Sequence, residues 1–280
     1  MKRTILLTTC LLALAHAASA ADLTDPVPGH PGVTLFDLAK LVVTDLANGP
    51  DGATGHKVVA FRHIEGKDML APPEDPVTLG VPPVDMAAVP GSTDRVLALI
   101  DLGASDGNVE EAELLALVGF DPKPKLLDVV EVGNDRWTAM EDNPPLLAPG
   151  APLIVIDSDH WNSNQTYNAA EMIFVRGDRF QLIDSLFTYT EAYCGYQHFQ
   201  EVTYGTAASG GPYRAVTVSV RDTTKLTDDD CGTDQKPPKP GVTVYSGTYR
   251  WDAAHARFVS HSAQLDKLDA LNTKWLKDGS

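Results

Sequence analysis

Apolar and polar residues alternate along the second half of the chain with the period of extended strands. Val216, Val218 and Val220 fall on one side of such a strand, and Ala215, Thr217, Ser219 and Arg221 on the other, the pattern of a half-buried antiparallel sheet. The same reading predicts strands over Leu153–Asp157, Glu171–Arg176, Arg179–Tyr189, Tyr213–Arg221 and Val242–Trp251. Upstream, the apolar runs Val96–Leu102, Leu114–Phe120 and Leu126–Val132 read as further strands, with a turn over Ala104–Asn108.

Helical spacing occurs twice. Leu35, Leu38, Val42 and Leu46 recur at three and four residues, so a helix is expected to end near Asn48-Gly49-Pro50. Leu265, Leu268, Leu271 and Trp275 line one side of a second helix from about Ala263 to Lys277, with Ser262 as its N-cap. Lys57–Ile64 alternates as a strand. Residues 71–93 hold Pro72, Pro73, Pro76, Pro82, Pro83 and Pro90, a density expected to prevent any regular element. The expected fold class is mainly β, an antiparallel sheet or sandwich with one helix near each end. The organisation expected is a leader over 1–20, a helix–strand segment with a proline-rich stretch over 21–94, and a β-rich domain over 95–280.

The leader reading rests on charge and size. Lys2 and Arg3 precede the apolar stretch Ile5–Ala15, and Ala18-Ser19-Ala20 supplies the small side chains of a cleavage site, so residues 1–20 read as a secretory signal peptide. Its apolar run is too short to span a ~30 Å hydrocarbon core. A periplasmic or secreted protein follows. Without residues 1–20 the formal net charge goes from −16 to −18, because Lys2 and Arg3 are lost and no acid is. A chain this acidic repels nucleic acid and anionic lipid. No later apolar run is long enough for a membrane span. Cys10 lies in the leader, which leaves Cys194 and Cys231 as a disulfide pair in an oxidising compartment. Closing that loop removes roughly 3–4 kcal/mol of unfolded-chain entropy.

The densest chemistry lies between Asp157 and Asn168, read as a polar loop between two strands. Asp157, Asp159, His160, Trp161, Asn162, Asn164, Gln165 and Tyr167 combine flat rings with oriented hydrogen-bond partners, as a site for a glycan or an envelope protein would. Three other readings stay open. The loop satisfies its own backbone, or Asp157, Asp159 and Asn162 hold Ca²⁺, or His160 beside a carboxylate serves as the acid–base group of an extracellular hydrolase. Asp106-Gly107-Asn108-Val109 with Glu113 is similar to the second half of an EF-hand calcium loop, but the expected first and third ligand positions fall on Leu102 and Ala104. Arg176-Gly177-Asp178 spells an integrin-type tripeptide at a position better read as a tight turn. There is no His-Glu-x-x-His zinc helix or phosphate-cradling glycine loop, and no motif calls for a cofactor.

The stretch from Leu126 onward resembles uncharacterised secreted bacterial proteins. The resemblance is carried by Asp157-Ser158-Asp159-His160-Trp161-Asn162-Ser163-Asn164-Gln165-Thr166-Tyr167 and by Thr248-Tyr249-Arg250-Trp251-Asp252. It implies a shared β architecture and transfers no activity. The functional expectation is a non-catalytic binding or accessory protein of the cell envelope, with 157–168 as its contact loop.

Overall fold

A computed structural model of the chain describes residues 22–50, 52–66, 75–80, 82–104, 111–133, 135, 137–228 and 238–278. Helix α1 (Leu35–Val42) opens on a capping box, in which the Thr34 hydroxyl accepts the Asp37 amide and the Asp37 carboxylate accepts the Thr34 amide. It stops earlier than its spacing predicts, because Val43 turns extended and bridges to Val58. Leu46 still reaches the core, from a turn rather than a helix face. Short strands follow: β1 (Ala47–Gly49), β2 (Gly52–Gly55), β3 (Arg62–His63), β4 (Val77–Thr78) and β5 (Val84–Ala88). Of the strand expected over Lys57–Ile64, only β3 and the Val58 bridge take strand pairing. The proline-rich stretch is corrected in the other direction, since it carries β4 and β5. Pro82 and Pro83 stand before β5 and Pro90 after it, so no ring removes a ladder donor, and β5 is an edge strand.

Strands β6 (Arg95–Ala104), β7 (Glu111–Phe120) and β8 (Pro124–Glu131) form an antiparallel meander. It is extended by β5 on one edge and, in parallel, by β3 on the other. The Asp106-Gly107-Asn108 segment of the expected turn lies outside the described residues, while Asp101 and Glu113 face each other across β6 and β7. After β9 (Trp137–Met140) and the small hairpin β10 (Leu146–Ala148)–β11 (Ala151–Pro152) come the long strands. These are β12 (Ile154–Asn162), β13 (Gln165–Arg176), β14 (Arg179–Tyr193), β15 (Tyr196–Ala207), β16 (Ala215–Leu226) and β17 (Gly241–Asp252), followed by β18 (Arg257–Ser260) and helix α2 (Gln264–Asp278). They build an eight-stranded antiparallel sheet in the order β18-β17-β16-β15-β14-β13-β12-β9. The fold is mainly β and sandwich-like, with a helix near each end. Among the described residues no helix is long and apolar enough to cross a membrane.

The 157–168 segment is not a loop. It is the distal half of the β12–β13 hairpin, paired without interruption from Asp157↔Ala170 to Asn162↔Gln165, with Ser163 and Asn164 as its tight turn. Its polar residues fit a strand because the sheet edge here offers polar neighbours on both faces. Arg176-Gly177-Asp178 is likewise a turn, with Gly177 and Asp178 at φ of 57° and 59°. Asp178 pairs with Arg95 of β6 at 2.6 Å and so helps join the two sheets.

The five-stranded sheet is buried on both sides. One face meets α1 and the N-terminal strands through Leu38, Val42, Ile100, Leu114 and Val118. The other packs on the large sheet, Leu97, Leu99, Leu115, Leu117 and Val130 against Ile154, Ile156, Ile173 and Phe180. Each such side chain contributes ~1.5–3 kcal/mol by leaving water. Asp128 straps this interface by accepting the Phe180 amide at 2.8 Å and the Arg62 guanidinium at 3.0 Å.

Within the large sheet, β14 and β15 pair only from Glu191–Tyr193 to Tyr196–His198 and then part. The two halves close on a third core, where Met172, Phe174 and Leu186 pack with Val216, Val218, Tyr249, Phe258 and the α2 residues Leu265 and Leu268. Side chains replace the missing ladder at the parting. Gln200 Oε1 accepts the Tyr189 amide at 3.1 Å, and the fully buried Asn272 of α2 donates to the Phe187 carbonyl at 3.0 Å. The two amides also bind each other, Asn272 Nδ2 to Gln200 Oε1 at 2.9 Å and Gln200 Nε2 to Asn272 Oδ1 at 2.8 Å. No buried amide group is left open at the seam, as burial demands.

Candidate functional site

Strand alternation divides the predicted site residues between two faces of the hairpin. Asp157, Asp159 and Trp161 point one way, together with Thr166 and Asn168 on β13 and Trp137 and Ala139 on β9, by the register Asp157↔Ala139, Asp159↔Trp137, Asp159↔Asn168 and Trp161↔Thr166. His160, Asn162, Gln165 and Tyr167 point the other way, and Asn164 sits in the turn. The structure therefore brings Asp157, Asp159 and Trp161 to one surface and separates them from the rest.

That surface lines a cleft of about 550 Å³ at the place where β14 and β15 part. Glu141, Asp157, Asp159, Thr166, Asn168, Thr188 and Thr190 form one wall, and Gln200, Val202 and Tyr204 of β15 the other. Asn168 Nδ2 donates to Asp159 Oδ1 at 3.0 Å. Burial, then the charge of Glu141 and a hydrogen bond to it, push the Asp157 carboxyl up to about 7. Asp157 thus keeps its proton to a higher pH than an ordinary carboxyl, beside the Glu141 side chain on the same wall. The Tyr204 hydroxyl opposite is buried and has no hydrogen-bond partner among the described residues, and burial, then the Asp157 and Glu141 charges, raise its pKa. On the same sheet face as these groups, Trp161 is 66 % exposed and Trp137 45 % exposed. A wall of carboxyl, amide and hydroxyl groups beside exposed indoles binds hydroxyl-rich molecules by stacking and oriented hydrogen bonds.

The opposite face carries a hydrogen-bonded network. Tyr167 donates to Gln165 Oε1 at 2.6 Å, Gln165 Nε2 to the Tyr189 oxygen at 2.8 Å, and Tyr189 to Glu191 Oε2 at 2.6 Å. Tyr196 donates to the other Glu191 oxygen at 2.8 Å. Burial, then the bond to Glu191, raise both the Tyr189 and Tyr196 hydroxyls. Gln165 and Tyr167 are members of this packed network. His160 Nδ1 lies 2.7 Å from Asp135 Oδ2. Other histidines also face aspartates, His56 with Asp75, His198 with Asp222 and His255 with Asp252. Among these described pairs, the His160 pair alone sets an exposed ring on a buried acid, with side-chain exposures of 40 % and 5 %. Among the described residues no three or more His, Cys, Asp or Glu side chains are placed to hold a metal ion. Asp157 and Asp159 face away from Asn162, which dissolves the calcium trio read from the sequence. Cys194 occupies the tight β14–β15 turn, and Cys231 lies outside the described residues.

Sequence reasoning missed Glu141, Gln200, Tyr204, Thr188 and Trp137. Alternation of Trp137, Ala139 and Glu141 is a weak signal that would have placed them on one face; nothing local pointed to Gln200 or Tyr204. No family model, curated protein or solved structure matches the chain, so its functional reading rests on its own residues.

Proposed function

We propose that this protein is exported and recognises neutral sugar chains in the cleft, as a binding or accessory protein of the cell envelope. The observation that carries the reading is the lining of the cleft, where Asp159, Asn168, Thr188 and Gln200 supply hydrogen-bond partners beside the exposed Trp161 and Trp137. An excess of carboxyl groups there disfavours anionic ligands and favours hydroxyl donors. Export is supported by the Lys2–Ala20 leader, and a Cys194–Cys231 disulfide suits the same compartment. The Thr227 amide donates to the Gly195 carbonyl at 3.0 Å, which returns the chain to the Cys194 turn four residues before Cys231 and supports that pairing.

The test is titration calorimetry of the purified protein against cellohexaose, chitohexaose, maltohexaose and xylohexaose. Trp161→Ala removes an exposed ring, so it should leave the melting temperature within about 1 °C, yet weaken binding roughly tenfold, the loss of ~1.4 kcal/mol of stacking. Equal affinity of Trp161→Ala and the parent protein, or no binding by any of the four sugars, would refute the glycan reading.

A further inference from the structure

β17 is an inner strand of the large sheet at one end and an edge at the other. It pairs with β16 from Gly241 to Tyr249, whereas β18 covers only Tyr249–Asp252. Backbone groups point to alternate sides of a strand at successive residues. Those of the even-numbered residues point away from β16: the Thr248 carbonyl accepts the His261 amide at 2.9 Å, the Ser246 amide donates to Gln264 Oε1 at 2.8 Å, and the Ser246 carbonyl accepts the Ser262 hydroxyl at 2.7 Å. The next two outward residues, Val244 and Val242, have amides and carbonyls without a partner among the described residues. Their side chains are 53 % and 52 % exposed, and no residue from Gly241 to Tyr249 is charged. Sheets guard against edge-to-edge pairing with short edges, prolines and charges. The ends of the two large sheets have such guards, since β9 and β18 are four residues long, β3 is two, and β5 carries Asp85 between bracketing prolines. The open stretch of β17 has none within it.

We propose that two copies of the chain pair through this edge, antiparallel about a twofold axis at Thr243, so that the large sheet runs through both. In that register Val242 stands opposite Val244 of the second copy and exchanges both backbone hydrogen bonds with it, and symmetry repeats the exchange. Every free group of the edge is then used. Pairing also stops where it must, because Pro240 has no N–H and falls opposite Ser246, whose groups are already taken. A slip of two residues sets Val244 against Pro240 or Val242 against Ser246 and leaves free groups unpaired. The side chains are self-complementary too. On the face away from the core the valines of both copies meet. On the other face Thr243 meets its own counterpart, and Tyr245 falls opposite Gly241, where a side chain would meet nothing within 4 Å. The acidic chains repel, but a Debye length of ~8 Å at physiological salt confines that repulsion, and the edge itself is uncharged. A contact one strand wide falls below the ~1,200 Å² of a standard interface, so the dimer is weak and concentration-dependent. β17 contributes nothing to the cleft lining, so this pairing stands apart from the glycan reading.

The experiment is sedimentation velocity on the full protein from ~10 μM to ~1 mM. A reversible monomer–dimer equilibrium is expected, tighter at ~0.15 M salt than at ~0.01 M, where the Debye length grows to ~30 Å. Val244→Lys puts a charge into each half of the pairing and should raise the dimer Kd roughly tenfold or more. Because Val244 is exposed, circular dichroism and the melting temperature of that variant should match the parent protein. Thr243→Cys should give a disulfide-linked dimer under mild oxidation, since the two copies of this residue face each other at ~4.5 Å between Cα atoms. Val242→Cys should not, because its twin lies beyond the ~7 Å limit for a disulfide. A protein that stays monomeric at every concentration overturns the proposal and leaves the edge to a foreign strand. Dimers unaffected by Val244→Lys place the contact elsewhere and overturn it as well. Cross-linking of Val242→Cys as readily as Thr243→Cys overturns the register.

Discussion

Replacing Glu171 by glutamine probes how the two sheets respond to pH. Glu171 lies on β13 with 7 % exposure, and its Oε2 has no hydrogen-bond partner among the described residues. Burial, then the nearby Glu65 charge, push its carboxyl up to about 8 from 4.5, while the Gly133 amide pulls the other way. Between those values the folded protein holds a proton that the unfolded chain has released. Stability must therefore fall as pH rises through that window, because the folded state binds more protons there. A difference of about 3.5 units at ~1.4 kcal/mol each sets a ceiling of about 5 kcal/mol, reached above pH 8. Glutamine keeps the shape and the neutral state at every pH. Glu171→Gln should match the parent protein near pH 4.5 and exceed it by ~2–5 kcal/mol at pH 8.5. Urea denaturation followed by tryptophan fluorescence at half-unit pH steps reads this directly. Titrating groups that do not interact with Glu171, Asp157 among them, contribute equally to both proteins and cancel. Parallel stability curves across the whole range would refute the argument.

Two further substitutions test the architecture. Asn272→Ala leaves the Phe187 carbonyl and one Gln200 donor unpaired inside the seam, so urea denaturation should show a loss of ~2–4 kcal/mol with an unchanged slope on denaturant. Gly103→Ala places a Cβ at φ +80°, against the Thr78 carbonyl oxygen, and the melting midpoint should drop by at least ~5 °C, the equivalent of ~2 kcal/mol.

Alternation made the long strands legible where, as in β16, one face is drier than the other. It failed where both faces are polar. From Asp157 to Asn168 acids, amides, hydroxyls and rings fill every position, and a period of two disappears when no face is apolar. Proline density misled at β5 for a different reason: the rings bracket the strand, which composition alone cannot register. In the cleft, Asp157, Asp159 and Trp161 were readable as a polar constellation, but their division from His160 and Tyr167 depends on strand geometry. Glu141, Gln200 and Tyr204 arrive by cross-strand register and by the β14–β15 parting, and neither leaves a local mark in the chain.

The seam also orders events in time. Gln200 and Asn272 are 72 residues apart, so all of β16 to β18 must leave the ribosome before the amide that closes the gap exists. A nascent chain held short of α2 has bare carbonyl and amide edges along the gap, ready for a chaperone or for the wrong neighbour. Delay of that kind would suit the proposed export, in which a polypeptide is threaded through a pore before it sets.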